Sequence, residues 1–167
     1  ARVVGVVGNC QGTLDLLART HPHELPVRVI WNATRADRAV VPTPSTHPLV
    51  GLVGPPQGWK GLETVLSGPG AAEIEIVGGP PGLSVPAHIR VVPPVPYGEL
   101  PAYLARYHAL LLPLLDNVYG RHLANPLKLW DYLATGIPIV AADLPSLREV
   151  GGSTLHYYQP GDAAALA

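Results

Sequence analysis

Among the 11 basic residues of this chain only Lys60 and Lys128 are lysine. Both stand where a loop runs into a helical pattern. A lysine ammonium is a compact point charge, unlike the planar guanidinium used at the other basic positions, and it suits an anion such as phosphate. Lys128 lies just after Asn125-Pro126, a pair that opens helices well: asparagine as the N-cap, proline at the first helical position, where a missing N–H is no loss. Such a helix start presents unsatisfied N–H groups and a partial positive charge, the ingredients of a phosphate site. Asp131 follows one turn along the same face. A cation and a carboxylate so spaced can hold a diphosphate and a sugar diol together. Gly136 then stands at the position where a glycine ends a helix.

The elements that must position these groups alternate. Residues 2–8 (RVVGVVG) are β-branched and almost continuously apolar, as a strand covered on both faces requires, and residues 12–20 carry leucines at helical spacing. Residues 27–31 read as a second strand, and 33–46, with two prolines and no periodicity, as a linker. Further strands are expected at 49–54, 73–77, 88–92, 109–112, 137–141 and 154–158. Helices are expected at 59–66, 99–107, 126–135 and 145–150, with another starting at Asp162. Strands separated by helices imply right-handed crossovers, hence an α/β, Rossmann-like three-layer domain with a parallel sheet. In such domains ligands lie beyond the carboxyl ends of the strands, where the strand order reverses. The loops after Gly54, Val77, Leu112 and Ala141 are therefore the ones to inspect.

Composition narrows the function. At 167 residues the chain can fold around its own core, burying roughly 70% of its unfolded surface. A formal net charge of −1 provides no footprint for nucleic acid. No apolar run approaches the ~20 residues of a membrane span. The single cysteine, Cys10, excludes an internal disulfide and fits a reducing compartment. His21-Pro22-His23 lacks a third ligand nearby, so no metal is expected. The glycines at 5, 8 and 12 do not spell a dinucleotide fingerprint, and Cys10 reads as a buried or helix-start cysteine, not a nucleophile.

Residues 125–150, NPLKLWDYLATGIPIVAADLPSLREV, resemble the signature of retaining, group 1 type glycosyltransferases of the GT-B fold, most closely those that build exopolysaccharide, teichuronic acid and lipopolysaccharide. The likeness extends over residues 49–63 (LVGLVGPPQGWKGLE), 73–81 (EIEIVGGPP), 97–104 (YGELPAYL) and Gln159-Pro160-Gly161-Asp162, and residues 27–37 (VRVIWNATRAD) resemble the crossover between the two GT-B domains. It implies that the chain is one half of a GT-B enzyme. Residues 1–46 would be the tail of the N-terminal domain plus the interdomain linker, and 47–167 the C-terminal nucleotide-sugar-binding domain, with its last helices cut short at Ala167. Lys60 and Lys128 would bind the donor diphosphate, with the Asn125 helix start and Gly54 close by. Gly78 and Gly79 would let the backbone approach the base. Asp131, where the family has glutamate, would bind the ribose.

No cofactor is implied; the substrate would be a UDP- or GDP-linked sugar. The acceptor, a glycan or lipid-linked glycan, would be bound mostly by the N-terminal domain. The protein would be cytoplasmic, with peripheral contact at the inner face of the cell membrane. Two positions depart from the pattern: Pro55 stands where the family has an arginine, and Leu123 where it often has a glutamate. Arg121 or His122 would then substitute at the phosphates. The same departures fit an inactive glycosyltransferase-like scaffold, and a GT-B-fold sugar-nucleotide 2-epimerase is a further alternative. Trp59 and Trp130 read as packing residues.

Overall fold

The computed structural model describes residues 3–35, 37, 39–55, 61–68, 70 and 72–166. In chain order the elements are β1 (Val6–Gly8), α1 (Gln11–Thr20), β2 (Val27–Val29), β3 (Leu49–Val53), α2 (Leu62–Leu66), β4 (Glu73–Val77), β5 (Ile89–Val92), α3 (Leu100–Leu104) and β6 (Ala109–Leu112). There follow a π-helical turn (Tyr119–Leu123), α4 (Leu127–Thr135), β7 (Ile139–Ala142), α5 (Pro145–Gly151), β8 (His156–Tyr158) and a closing 3-10 turn (Ala164–Leu166).

Six strands form one parallel sheet in the order β5-β4-β3-β6-β7-β8, flanked by helices, while β1 and β2 make a separate parallel pair. The six-stranded order is that of a doubly wound Rossmann-like domain, and its reversal falls between β3 and β6. The apolar runs explain the sheet. Leu110, Leu111 and Leu112 of β6 are buried, as are Leu52 of β3 and Ile139 and Ala141 of β7, and α4 adds Leu129 and Tyr132 to the same core. Gly51 serves this packing through its missing side chain, since a Cβ there would fall 2.7 Å from the Tyr107 ring.

One buried acid was not foreseen. Glu75, in the middle of β4, is fully buried. Its carboxylate accepts the Tyr107 hydroxyl at 2.5 Å and the Tyr103 hydroxyl at 2.7 Å, and pairs with Arg106 and Arg90. Burial opposes its ionisation, yet the bonds from Tyr107, Tyr103 and Arg106 outweigh that and hold the carboxyl below the ordinary glutamate value. The cluster ties β4 and β5 to α3 and the chain after it.

Element bounds differ from expectation for identifiable reasons. The first strand, expected over 2–8, is Val6–Gly8, because β1 pairs only with the three residues of β2. The second strand stops at Val29 instead of 31, since Trp31 and Asn32 turn their side chains to Glu149 and to the Asn125 carbonyl. The helix expected over 99–107 is cut to Leu100–Leu104, because the Tyr107 N–H bonds the Leu104 carbonyl in a tight turn that sends its ring under the sheet. The linker over 33–46 contains no strand or α-helix among its described residues, and it docks on the end of α3 through Thr43 N–H to Ala105 O (2.8 Å) and Ser45 N–H to Arg106 O (3.0 Å). The π-helical turn was not anticipated.

Candidate donor site at the switch point

Where β3 and β6 part, the backbone needs new partners. They pair at Val50–Ala109 and Gly51–Leu110, whereas β3 continues beside β4 to Val53–Val77. Gly54 N–H bonds Val77 O at 2.8 Å, so the N–H and C=O of Val53 point the other way, towards the gap. Side chains of α4 fill it. The Val53 N–H donates to the Tyr132 hydroxyl at 2.9 Å, and the Lys128 ammonium donates to the Val53 carbonyl at 2.8 Å. Residues i and i+4 of one helix thus satisfy both backbone groups of the last β3 residue. Burial raises the Tyr132 pKa, so the phenol stays neutral.

Two glycine turns lie beside the ammonium. Gly54 has φ +99° and Gly78 φ +83°, conformations that L side chains rarely adopt. A Cβ on Gly54 would stand 3.8 Å from Lys128 Nζ, and one on Gly78 would stand 3.9 Å from Gly54 Cα. The ends of β3 and β4 and the start of α4 therefore converge. Gly61, which follows Lys60 in sequence, lies against the backbone of Leu114, its notional Cβ 3.2 Å from the Leu114 nitrogen. Lys60 and Trp59 lie outside the described residues.

Two clefts flank this point. One, of about 270 Å³, is lined by Leu112, Pro113, Leu114, Tyr119, Pro126, Leu127 and Lys128. The other, of about 420 Å³, lies beyond β4 and β5 between Gly79, Pro81 and Gly82 on one side and Val91 to Pro94 on the other. Asp131 is one turn from Lys128. Its Oδ1 accepts the Thr34 hydroxyl at 2.7 Å and the Tyr97 hydroxyl at 3.0 Å.

The remaining expected residues point elsewhere. Asn125 does not cap α4: Pro126 holds the N-cap position with extended backbone, and no side chain caps the helix. The Asn125 amide is buried, donating to the Asn9 carbonyl and accepting the Trp130 indole N–H at 2.7 Å, so it has no geometry left for the helix N–H groups. Arg121 forms a two-pronged ion pair with Asp116, and His122 offers its carbonyl to the Cys10 thiol at 3.2 Å. The described residues lining the two clefts include neither. Cys10 is buried. Trp130 packs against Trp31 with ring centroids 6.3 Å apart. Thr34, Tyr97 and Tyr119 were missed from sequence, because only the fold brings them beside α4. Among the described residues no group of three or more His, Cys, Asp or Glu side chains could hold a metal ion. Among the described residues no helix is long and apolar enough to cross a membrane.

The class defined by this arrangement is a Rossmann-like α/β domain with the fold of one half of a GT-B structure. Solved structures agree on the fold. Sucrose-phosphate synthase from Thermosynechococcus elongatus superposes with a TM-score of 0.78 at 19% identity, covering 99% of this chain and 47% of that one. Anabaena HepE in complex with UDP-glucose gives 0.75 at 14% identity over 99% of this chain and 52% of its own. The lipopolysaccharide outer core galactosyltransferase WaaB, in its apo form, gives 0.71 at 16% identity over 96% and 50%. The chain thus spans about half the length of these structures. No protein-family model and no curated protein sequence matches it.

Proposed function

We propose that this chain is the donor-binding part of a glycosyltransferase that moves a hexose, with retention, from a nucleoside-diphosphate sugar to a glycan or lipid-linked acceptor. The observation that carries the reading is the placement of Lys128 and Asp131 one turn apart on α4, at the point where β3 and β6 separate and between two clefts. In this reading the diphosphate lies at Lys128 and the start of α4, with Gly54 adjacent, in the 270 Å³ cleft, and Lys60 binds it as the resemblance implies. The base enters the 420 Å³ cleft past Gly78 and Gly79. The ribose between them reaches Asp131. Leaving-group charge develops on the diphosphate during transfer, and a lysine held in place by a backbone carbonyl is a preorganised donor for it. That HepE was solved with UDP-glucose and with UDP supports this class of donor.

Residues 1–46 belong, in the same reading, to the N-terminal GT-B domain and the linker. The acceptor is taken by the rest of that domain, and the protein works in the cytoplasm on polysaccharide precursors at the inner face of the membrane. Arg121 and His122 are secondary phosphate contacts, Arg121 only once its Asp116 pair opens. The test is a thermal-shift and calorimetric screen of UDP, GDP, ADP and CMP, followed by transfer assays with the intact protein. Stabilisation by one nucleoside diphosphate and loss of transfer in Lys128→Ala support the reading; unchanged transfer in that variant refutes the assigned site. Pro55, in place of an arginine, favours a scaffold as the second reading. Binding without transfer or epimerisation by the intact protein would establish it, and product analysis with donor alone separates the 2-epimerase.

A further inference from the structure

The strongest unexplained feature beside the site is a strap. The segment after β2 sends three side chains onto the six-stranded domain. The Trp31 indole N–H donates to Glu149 at 3.0 Å, the Asn32 amide to the Asn125 carbonyl at 2.6 Å, and the Thr34 hydroxyl to Asp131 at 2.7 Å. Glu149 also accepts the Gln11 N–H, through its two oxygens at 2.9 and 3.0 Å, at the start of α1. The strap is therefore held independently at two points before it reaches Asp131. From another segment Tyr97, in the loop between β5 and α3, donates to the same Asp131 oxygen at 3.0 Å.

An aspartate has one broad, roughly two-fold terminal torsion, so its rotamer does not by itself aim the carboxylate. Two hydroxyls converging on one oxygen, each carried by a different segment, do aim it. We propose that Thr34, with Tyr97 as its counterpart, is a positioning residue that sets the Asp131 carboxylate for the ribose 2′-hydroxyl of a nucleoside diphosphate. The strap is thereby a structural part of the donor site. This rests on the reading of Asp131 as the ribose ligand. It adds a consequence: a ligand that bonds Asp131 more strongly when Thr34 is docked also holds the strap down, because coupling between two sites is reciprocal.

The test separates the two ideas. UDP, GDP and ADP are titrated into the intact protein by calorimetry, and the one that binds is compared with its 2′-deoxy analogue. The expected result is tighter binding of the ribonucleotide, lost in Asp131→Ala. Thr34→Val weakens ribonucleotide binding by about tenfold, the size of one hydrogen bond to a charged group, and leaves the deoxy analogue unchanged. Thr34→Ser restores the preference. Tyr97→Phe, at an exposed side chain whose loss does not threaten folding, reduces the preference by about threefold. A positioning role predicts this selective loss, whereas general destabilisation weakens both ligands alike. If Thr34→Val and Tyr97→Phe keep the full ribose preference while Asp131→Ala loses it, the positioning role is refuted and the donor-site reading stands. If no diphosphate binds, the reading falls and the positioning role with it.

Discussion

Replacing Glu75 by glutamine tests whether the buried cluster under the sheet stabilises the domain as its geometry indicates. The carboxylate is fully buried and takes bonds from Tyr107, Tyr103, Arg106 and Arg90. Glutamine keeps one acceptor oxygen but presents an NH₂ where the other oxygen received a guanidinium, and it removes the charge that both arginines face. Breaking a fully buried pair costs about 3–5 kcal/mol. The Arg90 and Arg106 side chains, however, are 55% and 36% exposed and can turn to water. The expected loss is therefore smaller, about 2–3 kcal/mol, or a fall in Tm of about 4–12 °C for a chain of this size. Denaturant melts should show a lower midpoint with an unchanged slope.

The pH dependence sharpens the test. The Glu75 carboxyl is held below its ordinary value, so its contribution is complete above the unfolded-state value near 4.5 and is lost as the pH falls through the lower folded value. Wild type and Glu75→Gln should differ by the full amount at pH 7 and still at pH 5.5, then converge at lower pH. A Tm within 1 °C of wild type at pH 7, or a difference that grows on acidification, would show that the cluster does not hold the fold in the way argued.

Tyr132→Phe leaves the Val53 N–H without its 2.9 Å partner in a buried setting, and should lower stability by about 1–3 kcal/mol in urea melts. Lys128→Met removes the donor to the Val53 carbonyl and the proposed phosphate charge, so calorimetry should record nucleoside-diphosphate affinity falling by about tenfold to a hundredfold. Gly54→Ala forces a side chain into φ +99° beside Lys128 and should weaken donor binding more than it lowers Tm. Gly12→Ala places a Cβ 2.5 Å from the His122 carbonyl oxygen, and hydrogen exchange should show α1 loosening while the six-stranded sheet stays protected.

Strand and helix types were legible wherever local pattern and tertiary demand agree. Residues 73–77 and 109–112 read as strands because their apolar runs are bounded by turn residues, and β4 and β6 occupy those bounds. Gly136 ends α4 in the left-handed conformation its position foretold. The Asn125 cap was misread because propensity knows nothing of Asn9 and Trp130, which are distant or inward-facing partners that claim the amide first. Glu75 was silent for a similar reason. An acid alternating with isoleucine in a strand looks like a solvent-facing residue until Tyr103, Arg106 and Tyr107 arrive from α3 and the chain after it. Lys128 and Asp131 were visible because both lie on one helix, where spacing alone fixes their relation. Thr34 and Tyr97 come from two other segments, and no single-segment pattern could join them to Asp131.

The same contrast explains why the site lies where it does. A parallel sheet that reverses strand order must leave the two central strands diverging at their carboxyl ends, and the unpaired backbone there has to be satisfied by something. Here that task falls to Lys128 and Tyr132, so the lysine assigned to the phosphates is also a structural prop for Val53. A phosphate that draws the ammonium away must leave the Val53 carbonyl to another donor. Binding and the local opening of β3 from β6 are then linked, and donor affinity should depend on how firmly Tyr132 keeps hold of the Val53 N–H. A Tyr132→Phe, Lys128→Met double-mutant cycle on stability would measure that link. A coupling of about 0.5 kcal/mol or more is expected for two groups sharing one residue, and strict additivity would mean that the two props act independently.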